Sequence, residues 1–159
     1  MATFFSDADL ISQLRLNQGK YWWQWLQQSQ QLKKRLVGAK ALSQHPWLRN
    51  AASQFTQAPP LANYLAVGDA ACAFDPISSM GLGFAVSSAC QAARLVQQSL
   101  YQSQAVADAD EALRQPYRQD LQSQFVAYQR LRQRMYQQER RWTQAPFWQR
   151  RQTSQPFVT

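Results

Sequence analysis

Apolar residues recur at helical spacing along several stretches of the chain, and these stretches are separated by short connections rich in Gly, Pro, Ser and Gln. Ser6 and Asp7 read as an N-cap before Leu10, Ile11 and Leu14, and Asn17-Gln18-Gly19 closes that short helix. A second helix is predicted over Lys20–Leu36, with Trp22, Trp25, Leu26, Leu32 and Leu36 near one face. Residues 38–46 read as a connection and Trp47–Phe55 as a strand, followed by a rigid break at Ala58-Pro59-Pro60. Tyr64–Val67 is apolar throughout, which predicts a strand inside a sheet covered on both faces. Gly81–Leu100 is helical in pattern, with Leu82, Ala85, Val86, Ala89, Ala93 and Val96 marking the expected buried side. A weaker helix is predicted over Ala105–Leu113. Pro116 suits the first turn of a long helix ending near Arg141, whose stripe is Tyr117, Leu121, Phe125, Tyr128 and Met135. The tail Trp142–Thr159 is aromatic and basic, and Pro146 and Pro156 prevent a continuous helix there.

The chain has 159 residues, enough for a domain with its own core, and its 45% hydrophobic content excludes a disordered tail. The formal net charge is +8, and seven arginines fall between Arg130 and Arg151. That balance suits nucleic acid, an anionic membrane surface or an anionic cofactor, without choosing among them. Cys72 and Cys90, the two cysteines, lack metal-ligand spacing and read as reduced, buried thiols of a cytoplasmic protein. No basic segment followed by an apolar stretch opens the chain, so no signal peptide is expected. The longest apolar stretch, Leu61–Cys90, is interrupted by Asp69, Asp75 and Pro76 and is not expected to cross a bilayer. Glutamine is abundant but sits on the polar faces of helical patterns, and no internal repeat is present.

The stretch Tyr64–Phe84 carries the candidate chemistry. A buried strand is predicted to run into Gly68-Asp69, then a loop holding Asp75-Pro76-Ile77-Ser78-Ser79, then Gly81-Leu82-Gly83 opening a helix of small residues. Gly68 allows a tight turn where a side chain would block a ligand. Asp69 can accept hydrogen bonds from sugar-type hydroxyls. Asp75-Pro76 fixes the loop and keeps residue 75 out of helical geometry. Gly81 and Gly83 leave backbone N–H groups open at a helix N-terminus, whose partial positive charge suits an anionic oxygen or ring.

This arrangement resembles the Gly-Asp FAD motif of the flavin-dependent aromatic hydroxylase superfamily. The form Asp75-Pro76-Ile77-Ser78-Ser79-x-Gly81 is more closely similar to the tryptophan-halogenase-like branch, which includes flavoprotein maturases of quinone-cofactor oxidases. Glu139-Arg140-Arg141-Trp142, Pro146–Arg151, the opening Ser6–Leu10 and the helix with Trp22–Leu26 carry the likeness over nearly the whole chain. Met80 departs from the glutamine that the branch has there. The resemblance implies an α/β fold: the C-terminal part of a Rossmann-like FAD-binding monooxygenase fold, mostly helical with a few strands. It implies the end of a substrate-domain region over 1–60, the flavin motif over 61–100 and a C-terminal helical region over 101–159. It further implies Gly68 and Asp69 at the ribityl hydroxyls, Pro76 beside the flavin ring, and Gly81, Leu82 and Gly83 as backbone donors to the pyrimidine edge. The implied chemistry uses FAD with NAD(P)H as reductant and dioxygen, and hydroxylates an aromatic group, including a tryptophan of a partner protein. No catalytic residue of this chain is implied.

The sequence holds no Gly-x-Gly-x-x-Gly, the turn that grips the ADP half of a dinucleotide. The resemblance places that fingerprint upstream of Met1, so an N-terminal FAD-binding region or a partner chain is expected to supply it. The Trp-x-Trp-x-Ile-Pro box is also absent, and Trp22-Trp23-Gln24-Trp25 does not replace it, so halogenation is not supported. A non-catalytic interaction protein from a truncated or split flavoprotein gene is the alternative. His45, the sole histidine, has no acid or serine arranged around it and reads as solvated. The tryptophans of the second helix read as buried packing more than as a pocket lining. No nucleic-acid motif accompanies the arginines, which favours a solvated helix face or a contact with the rest of the flavoprotein. Asp108, Asp110 and Glu111 read as helix-start acids and not as a metal site.

Overall fold

The computed structural model describes residues 1–57, 64–102 and 107–153, with the side chains of residues 102 and 107–113 left aside. The chain divides into two compact units, Met1–Asn50 and Ala51–Thr159.

In the first unit, α1 (Ala8–Gln13) starts where predicted, after extended Asp7, though no Asp7 side-chain cap bond forms. Arg15 adopts a left-handed φ of 52° and reverses the chain. Helix α2 (Gly19–Gln28) begins at the glycine expected to end the previous helix, and glycine is required there because a Cβ would collide with the backbone oxygen of Gln44. The single helix predicted over Lys20–Leu36 is two. Ser29 is extended, its Oγ accepts from the Leu32 amide at 3.3 Å, and α3 (Gln30–Arg35) starts behind that cap. A serine hydroxyl offers the backbone this alternative to continuing the helix. Leu16 and Leu26 are buried, whereas Trp22 is half-buried and Trp23 and Trp25 sit at the surface. The Phe4 ring covers part of Trp22 and Trp25 at centroid distances of 6.2 and 5.9 Å.

In the second unit, β1 (Gln54–Phe55) pairs antiparallel with β2 (Cys72–Ala73), with Phe55 opposite Cys72. Of the strand predicted over Trp47–Phe55, only the last two residues pair. Tyr64–Val67 is not a strand. Its Ala66 carbonyl instead accepts from the Tyr117 hydroxyl at 2.8 Å, so a side chain takes the place of a neighbouring strand. The Ala58-Pro59-Pro60 break lies outside the described residues.

Helix α4 (Gly81–Gln102) matches the predicted span, but the buried side is different. Phe84, Ser88 and Ala92 face the core, while Leu82, Val86, Ala89, Ala93 and Val96 are exposed. The helix carries apolar residues on two stripes, and α5 (Ala107–Gln138) packs on the one with Phe84, where Ser88 and Ala92 are small enough to admit it. Helix α5 is continuous where two helices were predicted, and Pro116 lies inside it, costing one intrahelical bond. It ends at Gln138 and not near Arg141, and residues 105–106 of the weaker predicted helix lie outside the described residues. Tyr117, Leu121, Phe125 and Tyr128 are buried as expected, and Tyr136 is buried in place of half-buried Met135. Phe74 is the hub of the core, 4.8 Å from Phe84 and 4.5 Å from Tyr128 between ring centroids. Pro146 occupies the first turn of α6 (Pro146–Gln152), the position where its missing N–H costs nothing. Pro156 lies outside the described residues.

Candidate functional site

The predicted flavin motif is folded as a turn, a loop and a helix start. Gly68–Ala70 forms a single 3₁₀ turn. Gly68 has φ +54°, and a Cβ there would sit 3.3 Å from the Ala85 Cβ. Both the left-handed backbone and the close approach to α4 require glycine. Its amide donates to the Ser88 Oγ at 3.0 Å, which pins the turn against the second turn of α4. Asp69 is exposed on this turn.

The next stretch is held by Asp75, one of the two buried polar side chains of the described core. Its Oδ1 accepts from the Ile77 amide at 3.0 Å, the turn that starts Pro76–Ser78 as a second 3₁₀ element. Its Oδ2 accepts from the Tyr136 hydroxyl at 2.7 Å and from Arg132 Nε at 3.1 Å. The Asp75 amide donates to the Tyr128 hydroxyl at 2.7 Å, and that hydroxyl also pairs with Ser53 Oγ. Burial pushes the Tyr136 hydroxyl up to about 12, helped by its bond to Asp75 and by the Asp75 charge. Burial likewise raises Tyr128, so both hydroxyls stay protonated and able to hydrogen-bond.

Pro76 and Ser79 are exposed, and Ser79 takes a left-handed φ of 53°. Met80 is half-buried against the core, and its carbonyl accepts from the Phe84 amide at 2.9 Å to close the first turn of α4. Helix geometry leaves the amides of Gly81, Leu82 and Gly83 without intrahelical acceptors. A Cβ built on Gly81 or Gly83 meets nothing within 4 Å, so the helix surface beside these two residues is open. Leu82 is 81% exposed. An anionic group can therefore reach this helix end, with Pro76 and Leu82 as apolar neighbours along the chain.

The predicted site residues Gly68, Asp69, Pro76, Gly81, Leu82 and Gly83 all lie on this turn, loop and helix start, whereas the partners of Asp75 were not among the candidates. The signal for them was available: Tyr128, Arg132 and Tyr136 follow one another at four-residue spacing on one face of α5. Arg130, Arg134, Arg140, Arg141 and Arg150 are exposed, as a solvated face requires, while Arg132 and Arg151 are half-buried. Arg151 lies over Phe147 at 3.8 Å and over Tyr136 at 5.6 Å, and Arg141 pairs with Glu139 and lies over Trp142 at 4.3 Å. That pairing holds the Glu139 carboxyl down at about 2.

Cys72 is fully buried, with burial pushing its thiol up to about 11, whereas Cys90 is exposed on α4 against the expectation for both cysteines. His45 is exposed, and its backbone is held by Ser43. Among the described residues no group of three or more His, Cys, Asp or Glu could hold a metal. No described helix is long and apolar enough to cross a membrane. An apolar depression lined by Ala93, Val96, Gln97, Leu100 and Tyr101 lies on the last turns of α4. At 1.5 Å rise per residue it starts roughly 18 Å along the axis from Gly81, so it belongs to a different surface from the motif.

Over 151 residues the chain is 36% identical to a curated protein of Marinomonas mediterranea named "Putative FAD-dependent oxidoreductase LodB". The alignment covers 95% of this chain, and the chain spans 38% of that relative's length. No protein-family profile matches the chain, and no solved structure does.

Proposed function

We propose that the chain forms the flavin-facing, C-terminal part of an FAD-dependent monooxygenase of the tryptophan-halogenase-like branch. The observation that carries this reading is the open N-terminus of α4 behind the Gly68 turn. Its first three amides have no intrahelical acceptor, the surface beside Gly81 and Gly83 is open, and Asp69 is exposed on the turn whose Gly68 amide bonds Ser88 of the same helix. The relationship to an FAD-dependent oxidoreductase supplies a ligand that fits such a site.

In this reading FAD, once reduced by NAD(P)H, activates dioxygen for hydroxylation of an aromatic group. The chain's own residues bind and orient. Asp69 accepts hydrogen bonds from the ribityl hydroxyls. Gly81, Leu82 and Gly83 direct N–H groups and the positive helix end at the pyrimidine edge, where negative charge gathers on reduction. Pro76 would lie beside the ring. The segment's role in this reading is to position the cofactor, which would carry the chemistry.

The remaining FAD contacts, including the grip on the ADP half, come from a region or partner chain outside this sequence, completing a Rossmann-like fold. The substrate we favour is a tryptophan side chain of a partner protein, and the setting is the cytoplasm. A second reading, a non-catalytic interaction protein, draws on the exposed Leu82, Val86, Val96 and Leu100 along α4. Titration of the chain with FAD, followed by flavin fluorescence, separates the two. Weak binding that depends on Asp69 supports the flavin reading, and no binding at any FAD concentration supports the second.

A further inference from the structure

A continuous path of hydrogen bonds joins α5 to the first turn of α4. It begins at Tyr136 and Arg132, which both reach Asp75 Oδ2. Asp75 Oδ1 then holds the Ile77 amide, and the Asp75 carbonyl accepts from the Ser78 amide at 3.0 Å and the Ser78 hydroxyl at 2.8 Å. Ser78 Oγ accepts in turn from the Met80 amide at 3.3 Å, and Met80 closes the α4 start through Phe84. Between them Ser79 is left-handed, a conformation that a non-glycine residue keeps only when its surroundings hold it.

The clamp is itself braced. Arg132 and Tyr136 lie one turn apart, with the guanidinium 5.4 Å from the ring centroid. Trp148 and Phe147 of α6 contact the same ring at 5.8 and 6.2 Å, and Arg151 lies over it. Gln152 donates to the Tyr136 carbonyl at 3.1 Å. The aromatic and basic C-terminal segment thus fixes one phenol ring whose hydroxyl ends on Asp75.

We propose that Tyr136 and Arg132 are positioning residues for the candidate flavin loop: by clamping the Asp75 carboxylate they set where the amides of Gly81, Leu82 and Gly83 point. The inference rests on the flavin reading of that helix end and extends it to residues that touch no cofactor. Tyr136→Phe keeps the ring and its aromatic contacts and removes only the hydroxyl donor. Arg132→Gln removes the charge, and Arg132→Lys restores charge without the Nε–H.

Hydrogen exchange on the folded chain tests it, with circular dichroism as the check on folding. In Tyr136→Phe the amides of Ile77, Ser78, Met80 and Phe84 should exchange about ten- to a hundredfold faster, the range expected for losing a hydrogen bond to a charged group. Amides of Leu121–Phe125 in α5 should keep their rates. Arg132→Gln should act on the same amides, with partial recovery in Arg132→Lys. Unchanged loop rates, or equal acceleration across α5, would overturn the clamp.

A second arm adds FAD in excess. Wild-type protein should gain protection at residues 81–83, and Tyr136→Phe should gain less. Equal protection in both would overturn the positioning role. No protection even in wild type would instead remove the flavin reading, while the exchange rates without FAD still decide whether the clamp exists. Should Tyr136→Phe fail to fold, Arg132→Gln and Arg132→Lys carry both arms.

Discussion

Tyr128→Phe is the sharpest test of how the motif loop is supported. Tyr128 is 1% exposed, and its ring packs 4.5 Å from Phe74 and 5.6 Å from Phe125 between centroids. Phenylalanine keeps those contacts. What disappears is a hydroxyl that receives the Asp75 amide at 2.7 Å and pairs with Ser53. Ser53 is half-buried and can turn to water, but the Asp75 amide belongs to a residue only 8% exposed. Leaving a buried donor without a partner costs about 1–3 kcal/mol. Each kcal/mol moves the melting temperature of a chain of this size by roughly 2–4 °C, so a fall of at least about 2 °C is expected. Tyr101→Phe serves as the control, because Tyr101 is 83% exposed and surface changes of this kind stay within about 0.5 kcal/mol. Thermal melts by circular dichroism and urea titrations on the two variants give the comparison. Equal stability of Tyr128→Phe and Tyr101→Phe would refute the claim that this hydroxyl supports Asp75.

Two further outcomes follow from the same geometry. Gly68→Ala should cost about 1–2 kcal/mol from its left-handed backbone alone, plus the squeeze against Ala85, so urea unfolding should show a larger loss than Gly38→Ala, where φ is +76° but nothing lies near. Stability should also fall in alkali: Cys72 is raised from 9.0 to about 11, and Tyr117 and Tyr136 from 10.0 to about 12. Groups with raised values hold protons more tightly when folded, so their contribution is whole below their ordinary values and is lost as pH rises through the folded ones. The urea midpoint should therefore be flat below pH 9 and decline above it, with Cys72→Ala reducing the first part of the decline. A midpoint that stays constant to pH 11 would contradict this.

What could be read from the sequence was what local chemistry decides. The turn at Gly68, the Asp75-Pro76 loop and the start of α4 at Gly81 each announce themselves by residues with few alternatives. The spans of α4 and most of α5 followed from periodicity. The failures were non-local. Tyr64–Val67 is equally apolar as a strand or as an extended linker, and only the Tyr117 hydroxyl, 53 residues on from Tyr64, decides that it is the latter. Helix α4 offers apolar residues on two stripes, and nothing in its own sequence says which one α5 covers. The Tyr128, Arg132 and Tyr136 stripe of the Asp75 clamp was legible as one helix face, but not its pairing with Asp75, which lies 53 to 61 residues away on another element. The break at Ser29 was legible in principle, since a serine before Leu32 is a ready cap, but the apolar spacing on either side hid it.

Whether Gly68–Gly83 faces a flavin is decided by parallel FAD titrations of wild type and Asp69→Ala, read by flavin fluorescence. Wild-type chain should bind more weakly than micromolar, because it has no glycine-rich turn for the pyrophosphate. Losing hydrogen bonds to a charged acceptor costs about 1.5–3 kcal/mol, so Asp69→Ala should bind roughly ten- to a hundredfold more weakly still. Asp69 is exposed and is not part of the core, so the variant should fold normally, with an unchanged circular dichroism spectrum as the check. Equal FAD affinity in the two folded proteins would contradict the claim.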